Sequence, residues 1–522
     1  MDRYDTLLSE LFVRFPSVTK AGFSAQAYKP GLEHMFAFDA LLGHPSESLK
    51  TLHVAGTNGK GSVSSMLASV LAAQGLRVGL FTSPHLLDFR ERIKIVEGEA
   101  FRLIPKEAVL DFVDRWSADF DRLELSFFEI TTGMAFDWFV REEVDIAVIE
   151  VGLGGRLDST NILTPELSIV TSIGLDHCAQ LGATRAAIAR EKAGIFKPGV
   201  PALVGEWDAE TAPVFEEVAA AAPCPLFFAD RWAACPAPAE SEDEPCRGML
   251  PAGAGQTARK DGGKPSGGCA CRAAFPRRGK DSGSPEGTAS GRPGMDLRGE
   301  YQALNLRTVL AALDLLGIEP DWDALAHTAA RTGLRGRWET LCAQPLTICD
   351  IGHNPPALRR NFAQLEEMMA SGRFSRLHVI YGIMADKALD DIIPLMPRRA
   401  TYYFVTPETP RALPAAEIAA RFLAAADRTD QAHSVLSDPE TAADRTDRAH
   451  SVLSGPETAA DRTDRAQMVL SGPENAAVQV EVCGPVAETI AQVEKTASPD
   501  DLIYIGGSTF VVCEAIRYFE SL

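Results

Sequence analysis

The chain has 522 residues, of which 46% are hydrophobic and 23% are charged, so it can bury more than one core and should form two domains. Its formal net charge of -20 disfavours a broad nucleic-acid or lipid-binding surface, although a local basic pocket for phosphates is compatible with it. The N-terminus lacks a basic region followed by an apolar run, no window is apolar enough to cross a bilayer, and the cysteines form no evident framework, which predicts a cytoplasmic protein with reduced thiols.

Strands and helices alternate in the first half of the chain. Thr51 to Ala55 is typical of a short apolar strand, Ser62 to Ala73 of a helix, and Val78 to Phe81 of a second strand. Two more apolar runs, Asp145 to Val151 and Leu167 to Thr171, have the composition of strands that are buried on both faces. Together these segments predict a parallel sheet built from βαβ units.

A long segment at about 235–295 interrupts this pattern. It is rich in Pro, Gly, Ser and charge, a composition that buries too little apolar surface to offset the ordering entropy, so we expect a disordered surface insertion. Zinc binding is the alternative, because Cys269 and Cys271 lie there with Cys235 and Cys246 upstream. The Cys-x-Cys spacing is not the usual one for zinc and no His accompanies it, which favours a mobile insertion without metal.

A tandem repeat follows at about 425–475. The segments AADRTDQAHSVLSDPET, AADRTDRAHSVLSGPET and AADRTDRAQMVLSGPEN follow one another between Ala425 and Asn475. Each copy is shorter than a solenoid repeat and offers few apolar side chains, so three copies cannot build a domain. We interpret the repeat as an expansion within a surface loop, and a partner-binding module is the alternative.

The second half resumes the alternation and predicts another α/β domain. A cluster of Gly and Arg at GLRGR separates the halves, so the predicted domains are 1–333 and 334–522. Helices are expected after Pro356, before Arg398 and at the C-terminus. The predicted strands of this half are Thr347 to Asp350, His378 to Tyr381, Thr401 to Val405, Val478 to Cys483 and Leu502 to Ile505.

The strongest chemical signal is HVAGTNGKGS, which follows the first strand. Gly56, Gly59 and Gly61 allow backbone N–H groups to approach phosphate oxygens, and Lys60 adds a positive charge at the start of a helix. The pattern differs from the usual Gly-x4-Gly-Lys-Ser/Thr motif, since Val54 occupies the place of the first glycine. A simple glycine turn is the alternative interpretation, but three glycines with a lysine at a helix start favour nucleotide binding.

Triphosphates are bound with Mg²⁺, which prefers oxygen ligands. Glu150 ends an apolar strand, so its carboxylate should emerge at the carboxyl edge of the sheet, where ligands of open α/β sheets bind. Pairing with Arg156 is the structural alternative for Glu150. His177 follows the next strand and should reach the same edge, although a lone histidine there is more often structural.

The ordered motifs resemble a known family. HVAGTNGKGS, TSPHL, SFFEITT, IEVGLGGRLDSTN, SIGLDH, REKAGIFKPG, LRGRWE and DIGHNP occur in the order found in the dihydrofolate synthase/folylpolyglutamate synthase family of the Mur ligase superfamily. The resemblance implies an α/β protein with an N-terminal P-loop ATPase-like domain containing a parallel sheet and a C-terminal Rossmann-like α/β domain. It also implies ATP-dependent ligation of L-glutamate to dihydropteroate and reduced folates through an acyl phosphate, by a monomer that binds neither nucleic acid nor membrane.

By the same resemblance, the site residues fall into groups. Lys60, Lys192 and His177 would be catalytic, and Lys192 would be carbamylated so that it carries oxygen atoms towards Mg²⁺. The metal would be held by Ser83, Glu150 and His177. The implied ATP-binding residues are Gly56, Thr57, Asn58, Gly59, Lys60, Gly61, Ser62, Asn305, Arg337, Asp350 and His353, and the implied pterin-side wall is Phe127 with Phe128.

Some features leave alternatives open. The family often has His-Gln before the asparagine that Asn305 represents, whereas this chain has Tyr301 and Gln302. Adjacent phenylalanines such as Phe127 and Phe128 are more often core than ligand platform. The alternative functions are a folylpolyglutamate synthase alone, a cell-wall amino-acid ligase of the same superfamily, and a nucleotide-binding regulator without catalysis.

Overall fold

A computed structural model describes most of the chain as two compact units, Met1–Arg337 and Trp338–Leu522. The predicted boundary was placed at 333/334, just before this division. Most of the predicted 235–295 insertion, with its four cysteines, and most of the repeat region lie outside the described residues. The residues that the structure describes are 2–24, 27, 29–232, 294–425, 467–469 and 479–522.

The first unit is built on an eight-stranded sheet with the order β4-β3-β2-β5-β1-β6-β7-β8. Its central pairs are parallel, as the sequence predicts, whereas β3 and β4 extend one edge as an antiparallel hairpin that the sequence did not reveal. The strands are β1 (Thr51–Ala55), β2 (Val78–Phe81), β3 (Ile93–Glu97), β4 (Ala100–Leu103), β5 (Ile146–Glu150), β6 (Leu167–Val170), β7 (Ala202–Val204) and β8 (Leu226–Phe228).

The central strands of this sheet are buried on both faces. All residues of β1, β5 and β6 are buried, because helices cover both sides of the sheet and the strands are correspondingly apolar. In the parallel register Val54 is opposite Glu150, so β1 and β5 end at the same edge. This alignment places the loop after β1 beside the carboxylate that ends β5.

Helices surround this sheet, and several begin at strong capping residues. Helix α7, for example, begins after Ser126, which forms a capping box with Glu129. The helices of the unit are α1 (Arg3–Arg14), α2 (Val18–Ala21), α3 (Glu33–Leu41), α4 (Pro45–Ser48), α5 (Lys60–Ala73), α6 (Lys106–Arg122), α7 (Phe127–Arg141), α8 (Cys178–Leu181), α9 (Arg185–Ala193), α10 (Ala212–Ala221), α11 (Gln302–Leu316), α12 (Trp322–Ala326) and α13 (Thr328–Thr332). A short 3-10 helix spans Phe89–Arg92.

The second unit is a seven-stranded, mainly parallel sheet with helices, which confirms the predicted α/β class. Its strand order is β13-β14-β12-β11-β15-β10-β9, and the antiparallel edge strands β9 and β13 were not predicted. The strands are β9 (Glu339–Ala343), β10 (Leu346–Asp350), β11 (Leu377–Tyr381), β12 (Thr401–Phe404), β13 (Gln467–Val469), β14 (Gln479–Val482) and β15 (Leu502–Gly506). The helices are α14 (Pro355–Ala370), α15 (Leu389–Ile392), α16 (415–425), α17 (Val486–Thr496) and α18 (Thr509–Glu520), with a 3-10 turn at Ile393–Leu395.

Edge strand β13 comes from the third copy of the tandem repeat. Its residues, Gln467–Val469, pair antiparallel with β14, with Met468 opposite Val480. One part of the repeat therefore joins the sheet, which the surface-loop interpretation did not anticipate. In the part of the chain that the structure describes, no helix is both long and apolar enough to cross a membrane.

Two deletions of the repeat, one that keeps β13 and one that removes it, should differ in their free energy of unfolding. Removing 426–459 takes out two whole copies and keeps β13, so we expect an unchanged free energy of unfolding. Removing 426–475 also removes β13 and its main-chain hydrogen bonds to β14, so we expect that free energy to fall by about 1–3 kcal/mol. Urea unfolding of both variants measures the difference. Equal stability of the two deletions would show that β13 contributes nothing to the sheet.

Candidate active site

The loop between β1 and α5 has a backbone suited to phosphate. Gly56 and Gly59 have positive φ angles, +149° and +88°. A Cβ added at Gly59 would overlap the side-chain amide of Asn305, so the chain can pass there only as glycine. Helix α5 starts at Lys60 without a side-chain cap, which leaves its first N–H groups and the positive end of its dipole available to an anion.

This loop is fastened by residues that follow β6. The Thr57 amide donates to the Ser172 carbonyl over 2.8 Å, and the Gly174 amide donates to the Thr57 hydroxyl over 3.0 Å. The hydroxyls of Thr171 and Ser172 donate to the Asn58 carbonyl over 2.6 and 3.0 Å. These hydrogen-bonding residues were not predicted from the sequence. Their position could have indicated them, because β6 is parallel to β1 and the loops that follow the two strands must lie side by side.

Two lysine side chains meet at the carbonyl oxygen of Gly56. Lys60 donates to it over 2.9 Å and to the Thr57 carbonyl over 3.3 Å. Lys192, which lies near the end of α9, donates to the same Gly56 oxygen over 2.9 Å. The structure therefore brings together two of the three residues that were predicted to be catalytic.

Lys192 is buried, with 4% of its surface exposed. Burial, assisted by the charge of Lys60, lowers the pKa of the Lys192 ammonium to about 7, while Asp176 and Asp158 act in the opposite direction. About half of these side chains are thus neutral amines at neutral pH. A neutral amine is the form that reacts with carbon dioxide, so the site fits the predicted carbamylation of Lys192.

Glu150 ends β5 at the same edge. It is 3% exposed, and its Oε2 accepts the backbone N–H of Ser83 over 3.1 Å. Burial raises the pKa of the Glu150 carboxyl, and the opposing influences are the charge of Lys60, the Ser83 N–H, and the charges of Arg337 and Arg92. Ser83 and Glu150, two of the three predicted metal-binding residues, are therefore in contact, and basic side chains lie around the Glu150 carboxylate.

His177, the third predicted metal ligand, lies in the loop before α8. Its φ is +51°, its amide donates to Asp176 Oδ1 over 2.9 Å, and its ring packs edge-on against Phe23 at 5.4 Å between centroids. Among the described residues, no group of three or more His, Cys, Asp and Glu side chains is arranged to hold a metal ion. A carbamate on Lys192 would add oxygen atoms to the predicted set of Ser83, Glu150 and His177, and oxygen ligands are chemically suited to Mg²⁺.

Asn305 lies against the loop, as the adenine-side residue was expected to. Its amide donates to Gln302 Oε1 over 2.8 Å, and the Gln302 amide donates to the Ser62 hydroxyl over 3.1 Å. The start of α11 is thereby joined to the first turn of α5. Gln302 was noted in the sequence only as part of a departure from the family pattern, and the structure gives it a direct contact with the ATP-binding candidate Ser62.

Arg337 belongs to the first unit, which corrects the predicted boundary that assigned it to the second domain. A Cβ added at Gly61 would lie 3.4 Å from its Nη2 and 3.7 Å from Glu150 Oε2. Its Nη1 donates to the Arg335 carbonyl over 3.2 Å. Arg337 is therefore placed beside the start of α5 and the Glu150 carboxylate.

Asp350 and His353 lie in the second unit, at the end of β10 and before α14. Asp350 is buried, and both of its carboxylate oxygens are occupied: Oδ2 accepts the Trp338 amide over 2.9 Å, and Oδ1 accepts the Gly352 amide and the Asn361 side chain, each over 2.7 Å. These bonds give Asp350 a structural role in shaping the loop. His353 Nδ1 is 3.0 Å from the Ile351 carbonyl.

The two phenylalanines of the predicted pterin-side wall differ in burial. Phe127 is 2% exposed and stacks on Phe12 at 5.1 Å between centroids, so it belongs to the core, whereas Phe128 is only partly buried. The guanidinium of Arg92 lies 5.3 Å above the Phe127 ring, and its Nε donates to His85 Nδ1 over 2.8 Å. The sequence analysis did not single out Arg92, because a buried arginine cannot be told from an exposed one by pattern alone.

Comparisons with known proteins show which family the sequence resembles. Residues 336–454 match the family model described as "Mur ligase, glutamate ligase domain". The chain is 33% identical over 394 residues to the folylpolyglutamate synthase of Lacticaseibacillus casei, covering 72% of this chain and 81% of that one. It is 32% identical over 404 residues to the dihydrofolate synthase/folylpolyglutamate synthase of Bacillus subtilis, covering 74% and 83%.

The chain belongs to the dihydrofolate synthase/folylpolyglutamate synthase family. The fold also matches a solved member of this family, E. coli FolC in complex with DHPP and ADP, with a TM-score of 0.67 and 23% identity over 100% of this chain and 98% of that one. Family membership confirms the resemblance stated from the motifs. It gives no roles to individual residues, so the ligand assignments of Ser83, His177 and His353 stay predictions.

The burial of Lys192 predicts that the unfolding free energy of the wild type depends on pH more strongly than that of a variant without the amine. The folded pKa of about 7 lies below the usual lysine value of 10.5, so between these pH values the unfolded chain binds the extra proton and stability rises with pH. In CO2-free buffer, Lys192→Met should therefore exceed the wild type in unfolding free energy by an amount that shrinks by about 1–3 kcal/mol from pH 7 to pH 9.

Denaturant unfolding at the two pH values measures this change. Lys106→Met is the matched control, because that amine is far less buried than Lys192 and its pKa is raised, chiefly by the hydrogen bond to Asp2. The control should show the same difference from wild type at both pH values. A pH-independent difference for Lys192→Met would contradict the lowered pKa.

Proposed function

We propose that this protein uses ATP to ligate L-glutamate to dihydropteroate, forming dihydrofolate, and to reduced folates, extending their glutamate chains. The observation that carries the proposal is the convergence of Lys60 and Lys192 on the Gly56 carbonyl, beside the Glu150 carboxylate. Lys60 lies at a helix start suited to phosphate, and burial lowers the pKa of the Lys192 amine. Family membership supplies the class of substrates.

The first step activates a carboxylate. A carboxylate oxygen of the folate substrate forms a bond to the γ-phosphorus of ATP, the bond from that phosphorus to ADP breaks, and an acyl phosphate results. Free carboxylates are poor electrophiles, whereas phosphate is a competent leaving group. Positioning and charge neutralisation dominate such phosphoryl transfers, and the cation of Lys60 at the start of α5 supplies both.

The second step forms the amide. The neutral amino group of glutamate attacks the acyl carbon, the C–N bond forms, phosphate leaves, and the nitrogen loses a proton. The basic residues around Glu150, which are Lys60, Arg92 and Arg337, suit the negative charge that both steps place on oxygen.

Mg²⁺ fits the same edge of the sheet. Ser83, Glu150 and His177 are the residues that would hold it, and a carbamate on Lys192 would add oxygen atoms. When bound, the metal neutralises phosphate charge and orients the phosphates. Lys192 forms the carbamate when its neutral nitrogen bonds to the carbon of CO2 and releases a proton, which converts a potential cation into an anion.

Two other functions of this family and superfamily remain as alternatives. A folylpolyglutamate synthase without the first activity would share every described feature of the ATP site. A cell-wall amino-acid ligase would share the ATP chemistry, but family membership favours folate. Action as a monomer is part of the proposal and is tested by the sedimentation of the purified chain.

The proposal predicts glutamate-dependent release of ADP with both dihydropteroate and tetrahydrofolate on one preparation of the protein. A cell-wall nucleotide precursor with its matching amino acid should give none. Activity with tetrahydrofolate alone would reduce the function to folylpolyglutamate synthesis, and activity with dihydropteroate alone would leave only dihydrofolate synthesis. Lys60→Ala is the control for ATP chemistry, and it should nearly abolish turnover while preserving the circular dichroism of the fold.

Carbamylation predicts that Lys192→Ala is severely impaired, by about a hundredfold or more in kcat, because the anionic oxygen group is lost. A short carboxylic acid added to this variant should occupy the gap and restore part of the activity. Incubating the wild type with ¹³C-labelled bicarbonate should give a carbamate carbon signal that the variant lacks. Full activity of the unrescued variant, or an identical carbon signal in both proteins, would reject the assignment.

A further inference from the structure

The β3–β4 hairpin buries a lysine for which the proposed chemistry has no use. Lys94 lies on β3, is 3% exposed, and faces Phe101 of β4 with its Nζ 5.9 Å from the ring centroid. Burying an ammonium group is costly unless it is paired or hydrogen-bonded. The burial of Lys94 lowers its pKa to about 8, although the charges of Glu91 and Glu150 oppose this shift.

Among the described residues, the Lys94 ammonium forms a hydrogen bond to the end of a helix. Its Nζ donates to the carbonyl of Thr332 over 2.8 Å, and Thr332 is the last residue of α13. Carbonyl groups in the last turn of a helix have no partner within the helix, and a lysine charge there interacts favourably with the helix dipole. Lys94 therefore fixes the point at which the chain leaves α13.

Two neighbouring contacts hold the same point. Glu99, in the turn of the hairpin, lies 3.5 Å from the Arg331 guanidinium. The Phe101 ring packs so closely against Gly333, whose φ is +66°, that an added Cβ would be 2.5 Å from its Cζ. The hairpin thus contacts three consecutive residues, 331–333, through an ion pair, a side-chain hydrogen bond to a main-chain carbonyl and an aromatic ring.

The segment that leaves this point ends at the nucleotide-binding candidate Arg337. Only residues 333–336 separate the end of α13 from Arg337, the last residue of the first unit. Arg337 bonds back to the carbonyls of Arg335 and Gly336 over 3.2 and 3.4 Å, so its place follows the path of this short segment. Its guanidinium lies beside Gly61 and Glu150.

We propose that Lys94 is a positioning residue for nucleotide use, which fixes the start of the 333–337 segment and so holds Arg337 at the start of α5. The inference rests on the proposed ATP-dependent function. It assigns to the hairpin a role in ordering the site, which Lys94 fulfils through its bond to the Thr332 carbonyl.

A double-mutant cycle distinguishes this positioning role from a purely structural role of Lys94. The cycle uses Lys94→Met, which removes the charge and donor with little change in length, together with Arg337→Ala and the double variant. If Lys94 acts through Arg337, Lys94→Met should weaken affinity for a non-hydrolysable ATP analogue and kcat/KM for ATP by about tenfold in the wild-type background. In the Arg337→Ala background it should cause no further loss.

The readouts keep this inference apart from the proposed function. Binding of the ATP analogue by calorimetry needs no ligation, so it reports on Lys94 even if the protein acts on another acceptor. Absence of ligation with normal nucleotide binding would count against the folate assignment alone. Additive losses in the cycle, or unchanged affinity in Lys94→Met, would overturn the positioning role.

Two further variants serve as controls for this measurement. Lys106→Met removes an exposed lysine that pairs with Asp2, and its nucleotide affinity should equal that of the wild type. Lys94→Gln keeps a hydrogen-bond donor, so it replaces Lys94→Met if that protein fails to fold, and it should show the same non-additivity with Arg337→Ala. Thermal unfolding of each variant in the absence of nucleotide checks that the proteins compared are folded.

Discussion

The structure depends most on one carbonyl oxygen, that of Gly56, which accepts hydrogen bonds from both Lys60 and Lys192. Two ammonium groups at one acceptor repel each other, and burial makes the repulsion stronger. The pair is therefore easiest to hold when only one amine is charged. Lys60 is half-buried at the start of a helix, whereas Lys192 is enclosed, and burial lowers the pKa of the Lys192 ammonium. A loop and two helices thus create two chemically different lysines.

Glu150 completes this balance as a buried acid with basic side chains around it. Lys60, Arg92 and Arg337 favour its ionised form, while its burial disfavours it. The surplus of positive charge at the site contrasts with the chain's overall net charge of -20. Focusing a small basic region within an acidic protein favours compact polyanions such as nucleotides over extended ones such as nucleic acid. The local field, more than the total charge, therefore decides what binds.

The sequence could predict the parts of the site that depend on local pattern. The cradle loop, the strands of both parallel sheets and the convergence of Ser83 with Glu150 follow from glycine spacing, apolar runs and the rule that parallel strands end at one edge. Features that depend on tertiary burial could not be predicted. Lys94 looks like an ordinary strand lysine in the sequence, and the bonds that Asp350 accepts from Trp338, Gly352 and Asn361 depend on packing that the sequence does not show.

The repeat-derived strand β13 has a consequence for how this chain can change. An edge strand pairs through main-chain groups, which every copy of a duplicated sequence carries equally. In the second sheet, β14, β12, β11 and β15 separate β13 from β10, whose end bears Asp350. Gains or losses of repeat copies are thus separated from β10 by four strands. Closely related genes can therefore differ in copy number as neutral length variation, and protein size becomes a poor marker of activity among them.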